Sequence, residues 1–157
     1  MIYVECKPDF LLVKKLGYPK KQIIHAGNIS EVCKSLKKNK NCCGLVDEDP
    51  HGTRPTYMAE LLRSSIISNS NDIKVAYDKR RNNHLIVLYP RLEEWFQKTA
   101  KILNIDLGQY GLPNNPNKLH AIINTSLDKF ERLLDDVLSN NHSRVEELRR
   151  ALDFCKR

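Results

Sequence analysis

Residues 42–52 read Cys-Cys-Gly-Leu-Val-Asp-Glu-Asp-Pro-His-Gly. The apolar start of this stretch predicts a buried strand at 42–46, and acidic side chains follow at its exit. Because residues i and i+2 of a strand share a face, Asp47 and Asp49 can turn toward one divalent cation, while Glu48 is expected to point away. This arrangement indicates metal-assisted chemistry on phosphates.

The first half of the chain alternates between predicted strands and predicted helices. Apolar runs predict strands at 2–5, 22–25 and 42–46. A helix is predicted at 8–16, and a second one begins after a capping box formed by Asn28 and Glu31. Alternation of this kind predicts an α/β fold with a mainly parallel sheet flanked by helices.

The predicted parallel sheet would place acidic residues that are distant in sequence close together in space. Glu5 ends the first predicted strand, as Asp47 and Asp49 end the third. Ligands of open α/β sheets bind beyond the carboxyl ends of the strands. We therefore expect these three side chains to share one crevice.

The second half of the chain has a weaker pattern. We predict a helix at 56–67, a polar loop at 68–72, and strands at 73–77 and 84–89 joined by a turn at 79–83. A helix is predicted at 91–103, and helical periodicity continues over 119–137. A last helix is predicted to begin after a capping box of Ser143 and Glu146. The predicted domains are an α/β domain at 1–104 and a helical C-terminal extension at 105–157 packed on it.

Composition and charge narrow the class of protein. The 157 residues include 29% charged and 41% hydrophobic residues, which is typical of a soluble globular protein, and no segment is apolar enough to predict a membrane span or a signal peptide. The net charge is +7, and the segment 14–40 holds eight lysines but one acid, Glu31. This bias favours attraction to nucleic acid, although a lysine-rich surface that only maintains solubility explains it equally well.

The five cysteines form an odd set without any Cys-x-x-Cys spacing. A zinc site or a disulfide framework is therefore not expected. We interpret the cysteines as reduced, buried thiols of a cytoplasmic protein.

Two segments carry a resemblance to a known family. Residues 2–9, Ile-Tyr-Val-Glu-Cys-Lys-Pro-Asp, resemble the opening of Toprim domains, the fold shared by topoisomerases, primases, recombination proteins and certain nucleases. The family pattern there is a hydrophobic strand, a glutamate, usually a glycine, and an acid four residues after the glutamate. Residues 47–53, Asp-x-Asp-x-x-Gly-Thr, resemble the second family motif. The resemblance covers about the first ninety residues, and Cys6 stands where the family usually has glycine.

The resemblance implies a Toprim-like, Rossmann-like fold and a magnesium site. Asp47 and Asp49 would bind Mg²⁺, or Mn²⁺ in its place, and Glu5 would act as general acid/base or as a further ligand. Asp9 matches a position that supports a second metal ion in some nucleases of the family. Several Toprim-like families related to phage-defence nucleases carry an acid before aromatic residues at a place comparable to the segment 90–96. Glu93 is the closer match there and would complete the acidic cluster.

Each of these acids also has an ordinary structural explanation. Asp47 and Asp49 could form a turn before Pro50, because Asp before Pro favours turns. Asp9 could simply cap its helix, and Glu93 could be an exposed helical acid beside a core tryptophan.

Basic residues are candidates for binding the nucleic-acid backbone. Lys7 and Arg54 lie next to the acidic motifs in sequence. Lys79, Arg80 and Arg81 lie in the predicted hairpin turn, where a solvated turn is an equally good interpretation. His51 lies in the acidic loop and could contact a phosphate, although loop histidines are more often bystanders. The other histidines lack ligand-like spacing: His25, His84, His120 and His142.

These observations predict Mg²⁺-dependent, nuclease-like hydrolysis of phosphodiesters in DNA or RNA, in phage defence or nucleic-acid processing. The alternatives are a non-catalytic nucleic-acid-binding or accessory module that acts with a partner protein, an interaction protein whose tail drives assembly such as homo-oligomerisation, and a primase-like nucleotidyl transferase. No membrane partner is expected. Strand passage requires gate domains for which the chain has no room, and no Walker loop predicts nucleotide hydrolysis.

Overall fold

The computed structural model describes residues 1–156. In this range, six strands form one sheet in the order β2-β1-β3-β6-β5-β4. The strands are β1 (Ile2–Val4), β2 (Ile23–His25), β3 (Cys43–Asp47), β4 (Ile66–Ser70), β5 (Ile73–Asp78) and β6 (Asn83–Leu88). β2, β1, β3 and β6 run parallel, whereas β5 and β4 are antiparallel to their neighbours. The predicted α/β class with helices around a largely parallel sheet is confirmed.

Seven α-helices accompany the sheet in the described part of the chain. They are α1 (Lys7–Lys15), α2 (Ile29–Lys38), α3 (Thr56–Ser64), α4 (Leu92–Ile102), α5 (Pro116–Thr125), α6 (Leu127–Leu138) and α7 (Ser143–Asp153). Short 3₁₀ helices lie at Lys20–Gln22, Leu107–Tyr110 and Phe154–Lys156. Along residues 1–156, each helix is too short or too polar to cross a lipid bilayer.

The sheet separates two hydrophobic clusters because successive side chains of a strand point to opposite faces. On one face, Leu45 and Ile86 belong to a cluster that includes residues of α1 and of α4 to α7. On the other face, Val46 and Val87 pack with residues of α2 and α3. The helices after residue 105 therefore share a core with the sheet. Arg157, the last residue of the predicted extension, lies outside the described residues.

The segment after the acidic loop differs from the prediction. The helix predicted at 56–67 ends at Ser64, and the predicted loop at 68–72 is largely the strand β4. β4 pairs with β5 only and is exposed along most of its length. An exposed edge strand needs no apolar alternation, and Asn and Ser along it give the composition of a loop.

The helical tail is also more divided than its periodicity predicts. The apolar pattern at 119–137 continues across a break at Ser126, which separates α5 from α6. α7 is capped by His142, whose Nδ1 accepts a hydrogen bond from the backbone N–H of Arg144 at 3.2 Å, so the capping box predicted at Ser143 is wrong. At α2 the cap is as predicted, since Asn28 Oδ1 accepts from the N–H of Glu31 at 2.9 Å.

Two cysteines are joined, contrary to the expectation of reduced thiols. Cys43 in β3 forms a disulfide with Cys155, across 112 residues of sequence, while Cys6, Cys33 and Cys42 are free. The 3₁₀ helix Phe154–Lys156 places Cys155 so that the two Cα atoms are 5.5 Å apart, a separation that a disulfide can span. Only the tertiary fold creates this proximity, so spacing along the chain could not indicate it.

Candidate functional site: an acidic crevice at the carboxyl edge of the sheet

The first two acids lie side by side because β1 and β3 are parallel neighbours in the sheet. Glu5 follows β1 directly, and Asp47 is the last residue of β3. Glu5 Oε1 accepts a hydrogen bond from the backbone N–H of Asp47 at 2.8 Å. Asp47 Oδ1 in turn accepts from the N–H of Leu92, at the start of α4, at 3.1 Å. The ends of β1 and β3 and the helix that follows β6 therefore converge at one point.

Asp9 belongs to this cluster and also caps α1. Its Oδ2 accepts hydrogen bonds from the backbone N–H and the thiol of Cys6, at 3.1 and 3.0 Å. Asp9 is 2% exposed, and its other oxygen is buried without a hydrogen-bond partner. Cys6 has an extended backbone with φ −135°, so the turn after Glu5 does not need the glycine that the family usually has there.

Glu93 is buried rather than exposed. Only 4% of this residue of α4 is accessible, so its interpretation as an exposed helical acid is wrong. Glu93 Oε1 lies 2.5 Å from Nδ1 of His120 in α5, and Oε2 is buried without a hydrogen-bond partner. We did not predict a contribution from His120, because it meets Glu93 only through the packing of α5 on α4.

Burial, with the neighbouring carboxylates, raises the pKa values of Glu5, Asp9 and Asp47. Burial, together with the charges of Asp9, Glu93 and Asp49, raises the pKa of Glu5 to about 7. Burial and the charge of Glu93 raise the pKa of Asp9 to about 6. The pKa of Asp47 is raised well above its usual range by burial and by the charges of Asp9, Glu5 and Glu93. The crevice therefore favours protons, or another positive charge, among its carboxylates.

A cavity of about 300 Å³ opens onto the cluster. Its polar wall includes Glu5, Asp47, Glu48, Asp49, Arg54, Arg91 and His120. Asp49 is exposed, and its Oδ1 accepts from the backbone N–H of His51 at 2.9 Å, so this acid does take part in a turn after β3.

Glu48 does not turn away from the crevice as expected. Its carboxylate, in a residue only 8% exposed, borders the same cavity and forms ion pairs with Arg54 and with Lys74 Nζ, the latter at 2.6 Å. The simple alternation argument fails because β3 ends at Asp47, so Glu48 already lies beyond the regular strand. Arg54 is thus held beside the acids, and Lys74 of β5 is a cation of this region that the sequence did not indicate.

The acids do not form a ready-made coordination shell. Among residues 1–156, no group of three or more His, Cys, Asp or Glu side chains is arranged so that it could hold a metal ion. The donor set nevertheless fits Mg²⁺, which prefers carboxylate oxygens and retained waters, and two buried oxygens, of Asp9 and Glu93, lack hydrogen-bond partners.

The predicted nucleic-acid-binding residues are divided between two edges of the sheet. Arg54 lines the acidic cavity, and Lys7 is exposed at the start of α1, outside the cavity wall. Lys79, Arg80 and Arg81 lie in the turn before β6, which is the opposite end of the strand from the acids. β5 runs antiparallel to β6, so the turn between them cannot reach the carboxyl edge.

The fold and the crevice define an α/β protein with a cluster of carboxyl groups at the carboxyl edge of its parallel strands. No family model, curated protein or solved structure matches the chain.

Proposed function

We propose that the chain catalyses Mg²⁺-dependent, nuclease-like hydrolysis of phosphodiesters in DNA or RNA, with a Toprim-like arrangement of its acids. The observation that carries the proposal is the convergence of Glu5 and Asp47, from separate parallel strands, with the buried acids Asp9 and Glu93. Burying several carboxylates together is unfavourable unless a cation or protons neutralise them. A bound cation would provide that neutralisation.

The residues have distinct roles in this proposal. Asp47 and Asp49 would hold Mg²⁺, and the buried Asp9 and Glu93 would add negative charge to the crevice. When bound, the metal ion would polarise the phosphoryl group and lower the pKa of a water. Glu5 can exchange a proton near neutral pH, since its pKa is raised to about 7 by burial and by the neighbouring carboxylates. Arg54 and Arg91, in the cavity wall, would neutralise the charge of the phosphate.

The test compares cleavage by wild-type protein and by the Asp47→Asn variant. The asparagine keeps the oxygen that accepts from Leu92 but cannot carry negative charge. With Mg²⁺ or Mn²⁺ and labelled single- and double-stranded DNA and RNA, we expect the variant to lose on the order of a hundredfold or more in cleavage rate. Asp128→Asn, at an exposed position of α6, is the matched control and should cleave like wild type.

A second measurement reports on the metal ion without reference to cleavage. Mg²⁺ should raise the unfolding midpoint of the wild-type protein, because a ligand that binds only the folded state stabilises it. The Asp47→Asn variant should lose most of this increase. Cleavage that persists in Asp47→Asn, or a midpoint that Mg²⁺ leaves unchanged in wild type, contradicts the proposal.

One observation favours a second candidate, a non-catalytic nucleic-acid-binding or accessory module that acts with a partner protein. The acids already satisfy backbone and side-chain donors, and no group of three is arranged for a metal ion within residues 1–156. Such a module would bind nucleic acid with a strong dependence on salt and would show no cleavage with any divalent metal.

A further inference from the structure

The edge of the sheet opposite the acidic crevice is strongly basic. We define the basic edge as the end of α2, the loop that enters β3 and the turn that enters β6, with the exposed cations Lys37, Lys38, Lys40, Lys79 and Arg80. Arg81 joins the turn to the end of α2, since its Nε donates to the backbone carbonyl of Lys37 at 2.9 Å. The segments also meet through Asn82 Nδ2, which donates to Asn41 Oδ1 at 2.7 Å. Charges that are forty residues apart in sequence therefore form one surface.

Several exposed cations of the basic edge lack an ion pair in the part of the chain that the structure describes. Among the residues that the structure describes, Lys38, Lys40 and Arg80 form no ion pair, whereas Arg81 is paired with Asp78. The positions of Lys37 and Lys38 at the end of α2 have a structural explanation, because cations stabilise the carboxyl ends of helices. That explanation does not extend to Lys40, Lys79 and Arg80, which lie in loops outside the helices.

A cavity lined by aromatic rings opens at the same edge. It measures about 310 Å³, and its wall includes Asn41 and Asn82 together with the rings of Tyr77, His84 and Phe154. The three rings form a stack, with centroid distances of 4.8 Å between Tyr77 and His84 and 5.1 Å between His84 and Phe154. Lys79 and Arg80 line a neighbouring cavity with Glu60 and Asp78 rather than this one, so the cations and the rings share an edge but not a cavity wall. Planar rings, together with cations along the same surface, are groups that proteins use to bind unstacked bases and their phosphates.

We infer that the basic edge binds single-stranded nucleic acid, with phosphates on its lysines and arginine and a base in the aromatic cavity. In a duplex the bases are stacked and paired, so the cavity can accept a base only from a single strand. This binding does not rest on the proposed cleavage, because the basic edge and the acidic crevice lie at opposite ends of β3 and β6.

The test measures affinity for fluorescein-labelled oligonucleotides by anisotropy, in EDTA so that no cleavage occurs. Wild-type protein should bind single-stranded DNA or RNA more tightly than a duplex of the same length. The Lys40→Glu/Arg80→Glu variant should bind on the order of tenfold more weakly, with a smaller dependence on salt. Lys118→Glu/Arg132→Glu is the matched control, since it makes the same change in net charge at exposed positions of α5 and α6. The control should bind within about twofold of wild type.

A separate variant tests the contribution of the aromatic cavity to binding. Tyr77→Leu removes a ring from the wall and should weaken binding of the single strand by on the order of tenfold, with little effect on the duplex. Circular dichroism establishes that each variant is folded, and Lys40→Gln/Arg80→Gln replaces the charge-reversed pair if that pair is not.

Four results overturn the inference: no binding by wild type, equal affinity for single strand and duplex, equal weakening by the two double variants, or binding to phosphatidylserine vesicles without binding to oligonucleotides. Absence of cleavage with Mg²⁺ contradicts the proposed function alone and leaves the inference intact.

Discussion

The carboxyl groups of the acidic crevice share a pattern at the level of single atoms. One oxygen of each is engaged: Glu5 by the N–H of Asp47, Asp47 by the N–H of Leu92, Asp9 by Cys6, and Glu93 by His120. The other oxygen of Asp9 and that of Glu93 are buried without hydrogen-bond partners. Such an oxygen is costly to bury as part of a charged group, because no donor replaces the water that it has lost. The crevice is therefore a place where stability depends on protonation.

This dependence predicts how stability changes with pH. Burial and neighbouring carboxylates raise the pKa of Glu5 from 4.5 to about 7, so the folded protein binds more protons than the unfolded chain between these values. Stability contributed by Glu5 is then complete below about pH 4.5 and is lost as the pH rises to about 7. The pKa of Asp9, raised to about 6 for similar reasons, acts in the same direction.

Without divalent metal, the free energy of unfolding should thus fall by about 2–3 kcal/mol more in wild type than in Glu5→Gln between about pH 5 and about pH 8. Denaturant titrations at both pH values measure this difference. Glu60→Gln, at an exposed position of α3, is the control and should follow wild type. Parallel pH profiles for wild type and Glu5→Gln would show that Glu5 titrates normally.

At the scale of the elements, the sequence predicts the buried strands and the edge of the sheet at which their carboxyl ends meet. β1 and β3 are visible as apolar runs, and their parallel pairing is what places Glu5 beside Asp47. β4 was missed because an exposed edge strand has no buried face to produce alternation. His120 and Lys74 were missed as neighbours of the crevice because only helix packing and strand order bring them there.

Arg144 is another residue whose tertiary contacts the sequence does not predict, in this case within the core. Near the start of α7 it is 3% exposed, an unusual position for an arginine. Its Nε donates to Thr99 Oγ1 and its Nη1 donates to Asp72, both at 2.8 Å, and the guanidinium lies 4.8 Å from the ring centroid of Trp95. These contacts fasten α7 to α4 and to the turn before β5. In the sequence, Arg144 looks like one more solvent-exposed charge of an amphipathic helix.

The Arg144→Met variant tests how much these contacts contribute to stability. Methionine retains much of the apolar stem, and the partly exposed Asp72 keeps its ion pair with Lys98, but Thr99 and Asp72 both lose the donors of Arg144. We therefore expect the free energy of unfolding to fall by about 1–3 kcal/mol. Urea unfolding monitored by the fluorescence of Trp95 measures the change. Arg132→Met, at an exposed position of α6, should alter stability by less than about 0.5 kcal/mol. A similar loss in both variants would mean that the contacts of Arg144 add nothing specific.

At the scale of the whole molecule, the parallel strands separate opposite charges. Acids follow the carboxyl ends of β1 and β3, while cations precede β3 and β6. The negative end of the α2 dipole lies at the basic edge, where Lys37 and Lys38 interact favourably with it. The separated side-chain charges would attract a polyanion to the basic edge and a cation to the acidic crevice, although the chain as a whole carries a charge of +7.

The disulfide Cys43–Cys155 joins the end of the chain to the basic edge and forms part of the wall of the aromatic cavity. It closes a loop across 112 residues, so removing it enlarges the conformational freedom of the unfolded chain. We expect Cys155→Ser to lower the free energy of unfolding by about 2–4 kcal/mol in urea titrations. Reductant should lower the stability of wild type to that of the variant and leave the variant unchanged. If wild type does not respond to reductant, the bond does not contribute to stability. If both proteins respond, the effect of reductant arises elsewhere.

Because Phe154 precedes Cys155, loss of the disulfide should also loosen the stack of aromatic rings. We therefore expect Cys155→Ser to bind single strands more weakly than wild type, even under conditions in which the variant remains folded.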